Sequence, residues 1–286
     1  MEKEKGRVAL LSVFAAFFLT SFKLVIGILT GSLGILSEAL HSGLDFIAAA
    51  ITWFSVQISD KPADKDHHFG HGKVENISAF IETILLLITC VWIVFEAVGR
   101  LVSGNTHIEV NAWSYVVVIT SIIIDLSRSR ALNRVAKKYN SQALEADALH
   151  FSTDIWSSAV VLVGLICANF GIYIADCIAA LCVAVIVIYI SIKLGKRSIN
   201  VLLDGVPDES YTQINELMQQ IEEIRLFHDL KIRASGADIF VDVTIHVSPD
   251  LNIGEAHEIT TQVEQKIKAL KPRCYVHIHT EPDKEE

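Results

Sequence analysis

His41-Ser-Gly-Leu-Asp45 and His150-Phe-Ser-Thr-Asp154 repeat one spacing in two distant parts of the chain. On a helix, residues i and i+4 share a face one turn apart. Each segment therefore offers one imidazole beside one carboxylate. Two such helices facing each other present four nitrogen and oxygen ligands, the set that suits tetrahedral zinc. Magnesium and calcium prefer all-oxygen shells, so the imidazoles disfavour them. A single His–Asp pair in a helix is often no more than an interhelical hydrogen bond; two copies point to a ligand set. These ligands bind metal only as neutral imidazole and ionised carboxylate. Protons therefore compete with metal, and a site facing each side of a membrane in turn would exchange one for the other.

Both pairs lie in stretches long enough to cross a bilayer, which takes roughly 20 apolar residues. Six stretches qualify: about 8–29, 33–58, 76–102, 111–132, 144–170 and 172–195. An uncharged turn, Thr30-Gly-Ser-Leu-Gly34, joins the first two, and a short link around Gly171 joins the last two. Glu38, Glu82 and Asp176 also fall within these spans. Ionisable groups at that depth are costly and face a cavity or a partner, so the second and fifth spans belong to the bundle interior. Glu38 sits one turn before His41 and either assists the ligands or bonds a neighbouring helix. Basic residues gather on one side: Lys3, Lys5 and Arg7, then Lys61, Lys65 and Lys73, then Arg128 to Lys138, then Lys193 to Arg197. That bias places both termini in the cytoplasm, and an even number of spans agrees.

Of the 286 residues, 51% are hydrophobic and the mean hydropathy is +0.43, but most of the apolar runs precede residue 204. The expected organisation is an all-α transmembrane domain over 1–203 followed by a cytoplasmic α+β domain over 204–286. The net charge is −9, with no basic stripe interleaved with stacking aromatics, so nucleic acid is excluded as a partner. The five cysteines form no C-x-x-C pair and read as small buried hydrophobes. In the tail, helical spacing runs over 208–224 and period-2 alternation over 229–234 and 239–247. A second helix covers about 253–270, and Cys274–His279 closes as a strand. The order αββαβ predicts one open sheet covered on one face by two helices, with dimerisation burying the remaining apolar surface.

Taken together, these features resemble the cation diffusion facilitator family. The H-x-x-x-D pair of the second span, Ala146-Asp-Ala-Leu-His-Phe-Ser-Thr-Asp154 in the fifth, and the loop Asp64-Lys-Asp-His-His-Phe-Gly-His-Gly-Lys-Val-Glu75 are similar to its motifs, and the likeness covers nearly the whole chain. It implies a homodimeric exporter of zinc or a related divalent ion, coupled to proton entry, located in a bacterial plasma membrane and without an organic cofactor. His41, Asp45, His150 and Asp154 would then carry the ion, and a histidine at position 41 tilts the choice toward zinc over cadmium, iron or manganese. The resemblance marks Asp64, His67 and His71 as a peripheral zinc site, lying on one face if the loop is helical, with Asp66 and His68 near enough to substitute. It marks His228, His246, His257, His279 and Glu281 as a cytoplasmic metal site at the dimer interface, leaving His277 aside. Lys73 and Asp204 are expected to pair where the bundle meets the tail.

Three other function classes fit less well. A membrane metal sensor needs no ligands at bilayer depth. An intramembrane metalloprotease would need a motif such as H-E-x-x-H, which the sequence lacks, and an open position at its zinc. A channel with four good ligands would hold its ion too tightly for fast flow.

Overall fold

The computed structural model describes residues 2–30, 33–103, 112–169, 174–271 and 273–283. Six long helices come first: α1 (Glu2–Thr30), α2 (Leu33–Ser59), α3 (Val74–Ser103), α4 (Ala112–Tyr139), α5 (Gln142–Asn169) and α6 (Ile174–Leu202). Each contains most of an expected span and continues into the polar residues beside it, because helix formation does not stop where the apolar run does. Thus α4 runs on through Arg128 to Tyr139. Among the described residues, α1, α2 and α3 are long and apolar enough on their own to cross a membrane. The links at Gly31-Ser32 and around Gly171 lie outside the described residues, as does the side chain of Asp176.

The chain forms two compact units, Met1–Lys61 with Val74–Ile199 and Pro62–Lys73 with Asn200–Glu286. The loop between α2 and α3 therefore groups with the tail. In the first unit the core is built largely from small residues, Ala9 and Ala16 of α1, Ala49 of α2, Ala136 of α4, and Ala143 and Ala148 of α5, around Leu132, Leu144 and Phe151. Small side chains let helix backbones approach closely, which drives helix association in lipid. Cys90 and Cys177 are buried as expected, Cys167 is half-buried, and Cys182 is exposed on the bundle surface. Burial is thus not general to the cysteines, since an apolar span also has an outward face.

The second unit contains α7 (Asp208–Gln219), β1 (Leu226–Ser235), β2 (Asp238–Val247), α8 (Ile253–Leu270) and β3 (Cys274–Pro282) in the expected αββαβ order. α7 stops five residues early, where the Gln220 N–H bonds Leu217 O and Ile221 turns into the core. β1 and β2 pair antiparallel across a turn at Gly236 (φ 61°). β3 returns parallel to β2, which requires a crossover; α8 supplies it, started by a reciprocal cap between Asn252 and Glu255. On β2, Val241, Val243, Ile245 and Val247 are buried against α7 and α8 residues such as Ile214, Met218, Val263 and Ile267. Period-2 alternation turns Asp242, Thr244 and His246 to the other face. Cys274 belongs to this core, and burial pushes its thiol pKa up to about 11.

Candidate metal centres

The first centre lies near the middle of α2 and α5. His41 and Asp45 project from α2, His150 and Asp154 from α5, and the four side chains meet. His150 Nε2 is 3.0 Å from Asp45 Oδ1 and 3.6 Å from Asp154 Oδ2. His41 Nε2 is 3.6 Å from Asp154 Oδ1. Zinc bonds of about 2.0–2.1 Å in a tetrahedron put neighbouring ligand atoms roughly 3.3 Å apart, and these separations straddle that value. Ligand atoms of His41, Asp45 and Asp154 all lie within 4.8 Å of one another. Asp154 Oδ2 and His150 Nδ1 are buried without hydrogen-bond partners, so the set is not exhausted by its own internal bonds.

The set sits at the edge of a cavity of about 510 Å³ lined by His41, Asp45, Asp154, Lys23, Glu38 and Glu96, among others. Its lining continues along α3 to Arg100, toward the bundle end where α1 finishes and α2 begins. Toward the opposite end, side chains pack between the helices. Arg128 lies 3.4 Å from the ring centroid of fully buried Phe151, adjacent to His150. Nearer the helix ends, Lys5 of α1 pairs with Asp60 and Glu75, and Asn76 of α3 donates to Gln142 of α5 at 2.7 Å. The four side chains thus border a cavity that extends along α3 toward Arg100. Glu38 touches the ligand set through a neighbour: its carboxylate accepts from Lys23 Nζ at 3.1 Å, and Lys23 also donates to Ser42 at 2.8 Å. Lys23, 23 residues into the chain, carries no spacing signal that ties it to α2; only the packing of α1 against α2 reveals it.

The second centre is the loop. It is not helical; Asp64, His67 and His71 nevertheless come within 4.8 Å of one another. Asp64 Oδ1 accepts the backbone N–H groups of Asp66 and His67, which folds the loop back on itself. Those two N–H groups, His67's first, hold the Asp64 carboxyl below the usual carboxylate range. His67 Nδ1 and His71 Nε2 each stand 3.3 Å from an Asp64 oxygen, and His71 Nδ1 is buried with no partner. Asp66 and His68 are exposed outside the group. The loop docks within its unit: Phe69 packs edge-on to Phe240 at 5.3 Å, Arg233 covers Phe69 at 4.2 Å, and a Cβ on Gly72 would lie 2.3 Å from Ser235 O. Lys73 Nζ donates to Asp204 Oδ1 at 2.8 Å.

The third centre lies on the polar face of the sheet. The register sets Leu226 opposite His246, and His246 beside Glu281. His228 Nε2 and His246 Nε2 approach to 3.1 Å, and His246 Nε2 is 3.7 Å from Glu281 Oε2. His246 Nδ1 is buried with no hydrogen bond, 4.0 Å from Asp283 Oδ1; the spacing of residues did not single out Asp283. His279 joins only through Glu281, at 3.3 Å. His257, on α8, is exposed and outside the group, because α8 covers the opposite face of the sheet. His277 faces Asp242 at 3.6 Å, away from the group. In all three centres imidazole nitrogens stand beside carboxylate oxygens, a donor set that suits a transition-metal ion better than a hard cation.

Comparison with known proteins agrees with this architecture. Residues 9–203 match the family model of the cation efflux transmembrane domain, and residues 206–283 match that of the cation efflux protein cytoplasmic domain. An uncharacterized transporter of Methanocaldococcus jannaschii is 32% identical over 279 residues, covering 96% of this chain and 98% of its own. The manganese efflux system protein MneS of Bacillus subtilis is 30% identical over 284 residues, with 98% and 97% covered. The cation-efflux pump FieF of Cronobacter sakazakii is 29% identical over 287 residues, with 99% and 95% covered. The chain therefore belongs to the cation diffusion facilitator family, whose members are integral membrane transporters of divalent metal ions and not enzymes.

Proposed function

We propose that this protein exports zinc from the cytoplasm of a bacterial cell by exchange for protons, working as a homodimer with both termini cytoplasmic. The observation that carries the reading is the meeting of His41, Asp45, His150 and Asp154 beside a cavity whose lining runs along α3 toward one end of the bundle. Two imidazoles and two carboxylates neutralise a divalent ion while favouring nitrogen-loving metals. When the cavity end faces outside, arriving protons compete for the same ligands and displace the ion. Closing that end and opening the other returns the protons to the cytoplasm and exposes the ligands to zinc. Residues 1–203 would carry out this transport and 204–286 regulate it through metal and dimerisation. The manganese named for the relative in Bacillus subtilis is the competing cargo; the imidazole of His41 favours zinc over it. Uptake by proteoliposomes across zinc, manganese, iron, cobalt, nickel and cadmium, with and without an imposed pH gradient, tests this. Zinc should move fastest and accelerate with the gradient. Preferential manganese movement, or zinc movement indifferent to the gradient, would refute the reading.

Two expected results concern the other centres. Asp64→Ala removes both the ligand and the group that folds the loop, so the zinc content of the purified full chain, measured by elemental analysis, should fall by one site per protomer while transport continues. An unchanged metal content would remove the loop from the ligand list. Lys73 and Asp204 are each more than 30% exposed at the side chain, and such pairs are worth about 0–1 kcal/mol. Lys73→Met and Asp204→Asn should each slow transport by no more than about fivefold, and the double variant should be no slower than either single. Independent, multiplying effects would show that the pair does not act as a unit.

A further inference from the structure

Lys23 belongs to α1, is 4% exposed, and lines the same cavity as His41, Asp45 and Asp154. Its ammonium donates to Ser42 Oγ at 2.8 Å and to Glu38 Oε2 at 3.1 Å. Ser42 follows His41 directly, and Glu38 precedes it by three residues, so the ammonium is tethered on both sides of a ligand. A buried ammonium is costly unless it is paired, and here its ion-pair partner is Glu38, whose side chain is 45% exposed in the cavity.

Charge counting gives this arrangement a role. With a divalent ion bound, Asp45 and Asp154 neutralise the ion, Lys23 and Glu38 neutralise each other, and the other charged groups of the lining are paired, Asp125 with Arg128 and Glu96 with Arg100. With the ion gone and before protons reach the ligands, the two aspartates keep their charge beside a fixed cation. Resting on the assignment of the four ligands as the transport site, we propose that Lys23 is the resident counter-cation of that site: it offsets the aspartates when the ion has left, weakens ion binding, and is held off the ligands by Glu38. Glu38 then acts through Lys23 and is not itself a ligand. A carrier needs such weakening, because four good ligands with no opposing charge would release their ion slowly.

The signs are fixed by Coulomb's law. Lys23→Met removes the repulsion and should tighten zinc binding about tenfold, lowering both KM and kcat. Glu38→Gln frees the ammonium to approach Asp45 and should weaken binding by a similar factor. In the Lys23→Met background, Glu38→Gln should do much less. Lys23→Arg, which keeps the charge, should stay near the original affinity, and Lys23→Gln, which keeps donors to Ser42 and Glu38 without charge, should behave as Lys23→Met. The measurement is zinc titration of the full-length protein in lipid nanodiscs, paired with transport kinetics, with Asp154→Asn alongside. Weaker or unchanged binding in both Lys23→Met and Lys23→Gln, or an equal effect of Glu38→Gln with and without Lys23, overturns the proposal. If Asp154→Asn also leaves binding unchanged, it is the four-ligand assignment that fails. If Asp154→Asn abolishes binding while the neutral Lys23 variants are silent, only the role of Lys23 is lost.

Discussion

Asp45→Asn is expected to abolish cation transport while leaving the bundle folded. Asparagine has almost the shape of aspartate, so the packing of α2 against α5 has no reason to change. What changes is charge. Asp45 is 7% exposed and stands 3.0 Å from His150 Nε2, in a set whose negative charge comes from two aspartates. Removing one partner from a buried charge pair costs about 3–5 kcal/mol, and each 1.4 kcal/mol is a factor of ten, so zinc affinity should fall by roughly 10²–10³. The check is zinc titration of detergent-purified protein together with liposome uptake, after size-exclusion chromatography has shown an unaltered profile. Retention of tight binding with loss of transport would move Asp45 out of the ligand set and into the machinery of conformational change.

The largest expected effect on stability falls in the second unit. Ile245 is fully buried at the centre of the sheet, opposite Phe227 of β1 and beside Thr280 of β3. Truncating a buried isoleucine to alanine costs about 2–5 kcal/mol. A unit of about 100 residues has only roughly 5–15 kcal/mol to lose. Ile245→Ala should therefore expose the tail to proteases at temperatures where the parent resists. Because Ile245 and His246 share one strand, metal binding at His228, His246 and Glu281 should weaken with it. Thr244→Ala, on the polar face of the same strand, should shift stability by less than about 0.5 kcal/mol. Equal protease resistance of the two variants would show that the sheet is not held by the face turned to α7 and α8.

How much of this was legible in the sequence depends on how local each feature is. The meeting of His41, Asp45, His150 and Asp154 could be read because a helix converts the H-x-x-x-D spacing directly into one face, and the tail's strands because period-2 alternation marks a half-buried sheet. The loop was legible in the spacing of Asp64, His67 and His71 and in its likeness to a family motif, but not in its shape. Its three ligands gather through the Asp64 carboxylate capping two backbone N–H groups, a turn that a helical reading of the spacing does not contain. Which histidines of the tail meet depends on β3 lying parallel to β2, a pairing between distant segments. That register brings His246 to Glu281 and Asp283 and leaves His257 on the far layer. Lys23 illustrates the same limit: it reads as one polar residue in an apolar span, and its importance follows only from where α1 packs.

His41, Asp45, His150 and Asp154 are the residues proposed to hold the ion that crosses the membrane. The most direct test is zinc uptake into proteoliposomes containing either the parent chain or Asp154→Ala, at equal protein content and under the same outward-directed or inward-directed pH gradient. Gradient-driven zinc accumulation is expected for the parent, and none above empty liposomes for Asp154→Ala. Uptake by Asp154→Ala at the rate of the parent would contradict it and place the ion's path elsewhere in the bundle.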